Sequence, residues 1–376
     1  MELMTIIHRQ KMDYLPIIYA FSSQITKHII IYDDAEEESM IAKEVVSSLK
    51  AFHTSYDLST EIELVEIDED SKQEIQKVIK QFEGNQKLVL NGTGADSALL
   101  IVLSSLVLRN KGRVFSYDKV DNTYNIITED GFTNHKIEKN MTLEVCLLLM
   151  GESIQGEINQ DKMMKNAPEI LSVFSDIPQM FKIRHLLKTK RSNELLQKYP
   201  RLLESLKRLS ILDNQYHLQG NEAFVRFGEL FEAFIYLKLR EYFVFDDIKV
   251  GVRICFDKKG SSQERIEIVN EFDILLIHQN KIGFIECKLG DSHTPLETVY
   301  KSDSILEYFG EDASSLIVNL ERNRTPHLKN SKKNFGDTIL FRAKTKKISV
   351  YNAFQFNRKD FIEKVVEAFG SGVLAS

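Results

Sequence analysis

Glu271-Phe272-Asp273-Ile274-Leu275-Leu276-Ile277, a turn at Gln279-Asn280, then Ile282-Gly283-Phe284-Ile285-Glu286-Cys287-Lys288: this stretch decides how the back half of the chain folds. Two strands joined by a tight turn send side chains alternately to opposite faces. Glu286 and Lys288, two apart, therefore share a face, and Asp273 on the paired strand projects to the same edge of the sheet. Two carboxylates close together are costly, because like charges repel and desolvation disfavours both. A divalent metal relieves that conflict, and hard oxygen ligands with open positions suit Mg²⁺ or Mn²⁺.

Working outward, the pattern predicts a long helix over Glu222–Tyr242, strands over Lys249–Phe256, Glu267–His278 and Lys281–Lys288, a helix over Leu296–Phe309, and strands over Ser315–Leu320 and Lys347–Tyr351. In the long helix Glu229 and Glu232 are three apart and so neighbours. Leu230, Phe231 and Phe234 anchor the helix in a core, with Glu232 toward the sheet. Helix glutamate, strand aspartate, then Glu-x-Lys resembles the PD-(D/E)xK nuclease superfamily. The resemblance implies Asp273, Glu286 and the carbonyl of Cys287 as metal ligands, Lys288 to orient or activate water, and Glu232 to complete the acidic cluster. Arg322, Arg324, Lys329, Lys332 and Lys333 lie in a stretch without acidic residues between two strand patterns and are candidate contacts to a nucleic-acid backbone.

The first 130 residues alternate strand and helix: strands at Leu3–His8, His28–Tyr32, Glu61–Ile67 and Lys87–Leu90, helices at Tyr14–Thr26, Glu36–Ala51, Ser71–Phe82 and Ser97–Arg109. Continuous β-branched runs mark strands covered on both faces, and repeated βα units give a parallel, Rossmann-type sheet. Arg113–Tyr117 and Tyr124–Ile127 read as a closing hairpin. Lys87–Leu90 runs into Asn91-Gly92-Thr93-Gly94-Ala95-Asp96-Ser97, a glycine-rich turn before a helix, which is an arrangement that binds phosphates. No GxxxxGK[ST] motif supports ATP hydrolysis.

Asn91-Gly92-Thr93-Gly94, Gly228 to Glu232, Asn270 to Asp273 and Glu286-Cys287-Lys288-Leu289-Gly290 together resemble the CRISPR-associated effectors that join an N-terminal CARF domain to a C-terminal PD-(D/E)xK domain. Ala95-Asp96-Ser97 replaces the Gly-Thr-Lys with which the family turn continues, and Leu230 stands in place of the family tryptophan. The resemblance implies an α/β chain with a Rossmann-like CARF domain (1–150), a helical connector (151–220) and a restriction-endonuclease-like domain (221–376). It implies activation by a cyclic oligoadenylate, most readily cyclic tetraadenylate, lying across a homodimer's two-fold axis. Asn91, Gly92, Thr93 and Gly94, with His8, Arg9 and Gln10 from the loop after the first strand, are the candidate contacts. The implied activity is a metal-dependent nuclease of type III CRISPR defence that nicks and degrades DNA, with RNA as a further substrate. The competing readings are a ligand-independent restriction or repair endonuclease and a CARF-type transcriptional regulator.

Composition agrees with a soluble globular chain: 376 residues, 43% hydrophobic and 28% charged. The net charge of −6 is uneven, with 15 basic against 24 acidic residues in 1–150 and 34 against 31 in the rest, so polymer contacts are expected in the back half. Three widely separated cysteines with no CxxC, no signal peptide at MELMTIIHRQ and no long apolar span predict a reducing, cytoplasmic setting without a membrane.

Overall fold

The computed structural model describes residues 1–8, 10–68, 70–95, 98–188, 198–220, 223–259, 265–289, 295–320 and 337–375. In the first domain the strands are β1 (Glu2–Ile6), β2 (Lys27–Asp33), β3 (Glu61–Ile67), β4 (Leu88–Asn91), β5 (Arg113–Asp118), β6 (Thr123–Thr128) and β7 (Gly131–Lys136). They form a seven-stranded sheet in the order β3-β2-β1-β4-β5-β6-β7. The pairings from β3 through β5 are parallel, and β6 and β7 add an antiparallel edge. Helices α1 (Lys11–Ala20), α2 (Glu36–Ser55), α3 (Lys72–Phe82) and α4 (Ala98–Arg109) cover it. Alternation sorts the strand residues between two cores: Leu3, Ile30, Val89 and Phe115 pack with α1 and α2, whereas Met4, Ile29, Leu90 and Val114 pack with α3 and α4. Strand order reverses at β1 and β4, and the crevice beyond their carboxyl ends is where open sheets of this kind bind ligands. The loop of His8 and Gln10 and the Asn91–Gly94 turn both lie there.

The second sheet has the order β13-β12-β11-β10-β9-β8. Its strands are β8 (Ser153–Gly156), β9 (Asp247–Lys259), β10 (Arg265–His278), β11 (Lys281–Lys288), β12 (Ser314–Asn319) and β13 (Ile348–Asn352). Helix α5 (Leu143–Met150) leads into it, ending at Gly151 with φ +90°. The remaining helices are α6 (Gln160–Lys165), α7 (Ala167–Val173), α8 (Ile177–Lys188), α9 (Pro200–Arg208), α10 (Ala223–Tyr242), α11 (Pro295–Phe309), α12 (Asp337–Thr345) and α13 (Arg358–Phe369). The segment read as a helical connector is built into this second domain. β8 joins the sheet through Ser153 and Ile154 opposite Cys255 and Ile254, and residues of α6–α9 share a core with α10. The physical reason is burial: Ile170, Val173, Ile183, Leu203 and Leu206 carry apolar faces that a solvated linker would leave in water.

The two domains share a core. Residues of β1, α1, α2 and α5 form one cluster with Val252, Phe272, Phe284 and Phe309 from the second domain. Burying Phe272 and Phe284 fully contributes about 2–3 kcal/mol each. Polar ties reinforce the junction. Lys119 Nζ lies 2.6 Å from Asp13 Oδ1 and 2.5 Å from Asp312 Oδ2. Asn280, at the β10–β11 turn, donates to Asn122 Oδ1 (3.0 Å) and Asn140 Oδ1 (3.2 Å) and accepts from the Met141 amide (2.8 Å).

Candidate active site

The β9–β10–β11 ladder is interrupted at Asp273. On one side the last β10–β11 pair is Ile274–Ile285, and one step further would set Asp273 opposite Glu286. On the other side Phe272 pairs Val252 and Ile274 pairs Val250, with Gly251 and Asp273 unpaired between them. The faces slip there. Val252, Ile254 and Phe272 belong to the central core, while Val250, Ile274 and Leu276 belong to the core under α10. Gly251 has φ +59°, and a Cβ at that position would meet Ile158 Cγ1 at 2.4 Å, so only glycine fits this bend.

At the break the predicted residues converge. Glu286 is 4% exposed. Its Oε1 accepts a short hydrogen bond from Lys288 Nζ, which also lies 3.8 Å from Asp273 Oδ2. Asp273 Oδ2 in turn accepts from the Cys287 amide at 2.6 Å. Burial first, and then the charge of Glu286, push the Asp273 carboxyl from 3.8 up to about 6. Burial opposes the Lys288 ammonium, but Glu286 and Asp273 outweigh it and raise its pKa, so Lys288 stays charged at neutral pH.

Glu232 comes from the other side. Phe231 and Phe234 of α10 pack in the same core as Ile285 and Cys287, the residues that alternate with Glu286 and Lys288. Burial first, and then the charges of Asp273 and Glu229, raise its carboxyl to about 9, so it keeps its proton at neutral pH. Among the described residues no group of three His, Cys, Asp or Glu side chains is placed to hold a metal ion. The donor set is thus the Asp273–Glu286 pair. It fits a hard divalent cation whose remaining positions are filled by main-chain carbonyl, water or substrate oxygen, because Mg²⁺ ordinarily keeps several waters and only one or two protein carboxylates.

One participant escaped sequence reading. Lys301 on α11 lies 3.4 Å from Glu286 Oε1 and helps hold Asp273 ionised. Nothing in Tyr300-Lys301-Ser302 marks it, since its partner comes from a strand 15 residues away. Arg322, Arg324, Lys329, Lys332 and Lys333 lie outside the described residues, as does Arg9.

In the first domain the side chains of the turn point inward. Asn91 and Thr93, expected to face a ligand, are buried. Asn91 Nδ2 donates to the Tyr14 carbonyl (3.1 Å), and its Oδ1 accepts from the Thr93 hydroxyl (2.9 Å) and amide (3.3 Å). Thr93 Oγ1 accepts from the Tyr117 amide (2.9 Å), and the Gly92 amide donates to the Phe115 carbonyl (2.9 Å). These groups brace the turn, because polar atoms buried without partners are costly. Gly94 is the open position. It has φ +74°, and a Cβ there would meet His8 Nε2 at 2.5 Å and Asp13 Oδ2 at 2.6 Å. His8 Nδ1 accepts from the Gln10 amide (3.3 Å), and Gln10 lines a cleft of about 750 Å³ between the domains, with Lys11, Glu44, Tyr308 and Lys347.

Residues 221–334 match the sequence model described as Card1-like, endonuclease domain. The matched residues span α10 through β12 and contain Glu232, Asp273, Glu286, Lys288 and Lys301. No curated protein shows significant sequence similarity to the chain. Among solved structures, protein VC1899 from Vibrio cholerae is similar with a TM-score of 0.72 and 16% identity, covering 98% of this chain and 99% of that one. Can2 from Sulfobacillus thermosulfidooxidans, solved with cyclic tetra-adenylate, gives 0.69 and 15%, covering 97% and 99%. A type III CRISPR defence DNA nuclease activated by cyclic oligoadenylate gives 0.53 and 14%, covering 97% of this chain and 51% of its own. The chain shares the fold of Can2 over nearly the whole length of both chains.

Proposed function

We propose that the chain is a divalent-metal-dependent endonuclease of type III CRISPR defence, switched on by a cyclic oligoadenylate. The observation that carries the reading is the Asp273–Glu286 pair, held by the half-buried Lys288 and the more exposed Lys301 at the sheet break of a region that matches a Card1-like endonuclease domain, within the two-domain fold shared with Can2. Such a site gives no advantage to a transcriptional regulator. The similarity of the first domain as well as the second favours a ligand-gated enzyme over a free-standing restriction or repair endonuclease.

Asp273 and Glu286 are the residues that would hold Mg²⁺ or Mn²⁺, with the Cys287 carbonyl. Bound there, the metal would offset charge at the scissile phosphate and acidify water. Asp273 is oriented by the Cys287 amide, which fixes which oxygen remains for other ligands. Lys288, held as an ammonium by both carboxylates, acts as an electrostatic and proton-donating group. The substrate is DNA, with RNA as a further candidate.

Cyclic tetra-adenylate, the ligand bound in the Can2 structure, is the activator to test first, entering the crevice beside Gly94, His8 and Gln10. A homodimer with the ring on its two-fold axis is the assembly that suits a symmetric ring, each subunit contributing the same turn. No described helix is long and apolar enough to cross a membrane. The test is nicking of supercoiled plasmid with Mn²⁺ or Mg²⁺, with and without cyclic tetra-adenylate. Cleavage requiring both supports the reading; no cleavage with both overturns it.

A further inference from the structure

The active site holds a second lysine that the Glu-x-Lys pattern does not explain. Lys288 and Lys301 both address Oε1 of Glu286, but they sit differently. The Lys288 side chain is 17% exposed and lies between the two carboxylates, whereas the Lys301 side chain is 45% exposed and reaches in from the solvent side of α11. Without a cation the centre balances, with the carboxylates of Asp273 and Glu286 against the ammoniums of Lys288 and Lys301. Adding a divalent cation leaves an excess of two positive charges, which suits an incoming phosphodiester. The ammonium that can leave Glu286 at least cost is the exposed one, because its head is already partly hydrated and its contact at 3.4 Å is the looser of the two.

We propose that Lys301 is a substrate-phosphate contact that stands on Glu286 until a divalent cation takes its place, and then binds a non-bridging phosphate oxygen of the nucleic acid. This rests on the nuclease reading. Lys301 thereby has two positions: a counter-ion to Glu286 in the metal-free protein, and a phosphate ligand in the loaded one. Removing it has opposite consequences for the two ligands. The metal loses a competitor for Glu286 and binds more tightly, while the nucleic acid loses a contact.

The test uses the full chain with Lys301→Ala and Lys301→Arg. Ca²⁺ serves as the divalent probe and a single-stranded oligonucleotide as ligand. Binding is followed against salt, Mn²⁺ affinity is measured without nucleic acid, and nicking is measured alongside. With Ca²⁺, Lys301→Ala is expected to flatten the log–log salt dependence by about 0.7, the share of one phosphate contact on a single strand. Without divalent cation the slope should equal that of wild type. Mn²⁺ affinity of Lys301→Ala should rise and the KM for nicking should rise roughly tenfold, the loss of one charge-assisted bond. Lys301→Arg should restore the slope. An unchanged slope in Ca²⁺, or an equal loss with and without Ca²⁺, overturns the inference while wild-type nicking stands. Wild type that, with cyclic tetra-adenylate present, neither nicks in Mn²⁺ nor responds to Ca²⁺ overturns the nuclease reading, and this one with it. Circular dichroism of both variants separates either result from misfolding, and Lys301→Arg alone failing to bind with the wild-type slope would also count against a phosphate contact.

Discussion

Asp273→Asn is expected to stabilise the metal-free protein at pH 8 while abolishing cleavage. The Asp273 side chain is 15% exposed, and burial, followed by the charge of Glu286, raises its pKa from 3.8 to about 6. The sign is the reverse of the usual carboxylate case. Between about pH 4 and 6 the folded protein keeps a proton that the unfolded chain has released, so stability falls as pH rises through that window and then levels off. A rise of that size corresponds to about 3 kcal/mol lost above pH 6. Asparagine removes the charge and retains a side-chain oxygen to accept from the Cys287 amide. At roughly 2–4 °C per kcal/mol for a domain of this size, the variant should melt about 6–12 °C higher. The assay is thermal unfolding in EDTA from pH 4.5 to 8. The gap between variant and wild type should open up to about pH 6.5 and then stay constant. Mn²⁺ should reverse the order, because it stabilises only the form that binds it. A variant no more stable than wild type at pH 8 in EDTA, or a gap indifferent to pH, would refute the reasoning.

Lys288→Ala should lose most nicking yet bind Mn²⁺ undiminished, as calorimetry would check; unchanged nicking would reassign the residue to a structural ion pair. Glu232, raised to about 9, holds its proton at neutral pH. Glu232→Gln should therefore match wild type in metal-free stability at about pH 4.5, gain on it steadily as pH rises from there to about 9, and keep a constant lead above that, read by denaturant melts at several pH values. Gly94→Val places carbon against His8 and Asp13 and forces a positive φ on a β-branched residue. It should raise the cyclic tetra-adenylate concentration for half-maximal nicking by orders of magnitude, and equal half-maximal concentrations would put the sensor elsewhere. Tyr117→Phe removes a hydroxyl lying 2.9 Å from Asn122 Oδ1 and 3.3 Å from the Gln279 carbonyl. At about 1 kcal/mol per hydrogen bond it should shift the activator midpoint roughly five- to tenfold without lowering maximal nicking.

The Tyr117 prediction follows from how the domains are joined. The amide of Tyr117 ties to Thr93 in the sensor turn, and its hydroxyl reaches the turn of the hairpin that carries Asp273 and Glu286 at its far end. One residue of β5 thus touches both the crevice beyond β1 and β4 and the strand pair of the active site. A ligand can bias that hairpin only if it contacts the two states differently. Gly94 is where such contact is available, since the rest of the turn is committed to internal hydrogen bonds.

Much of this was legible in the sequence, and the residues that were not share a cause. The parallel strands stood out because apolar runs such as Ile29-Ile30-Ile31 are bounded by turns, and Glu286-x-Lys288 stood out because charges ending an apolar strand are rare. β7 did not, since all six residues of Gly131–Lys136 are exposed and show no alternation. β8 did not, because four residues gain strand character only from a partner about 100 positions later. Lys301 and the inward turn of Thr93 likewise depend on partners remote in sequence. The slip at Asp273 is the most instructive case. A strand with one wet face would betray a change of face as a break in the period of two. Here both faces are buried, Phe272 against one core and Ile274 against the other, so an apolar residue suits either side of the aspartate. The bend is recorded only in Gly251, across the ladder, where Ile158 occupies the space of a side chain. Gly251→Ala should accordingly displace β9 from Asp273 and lower both stability and nicking, more than the same change at Gly228, where a Cβ meets nothing within 4 Å.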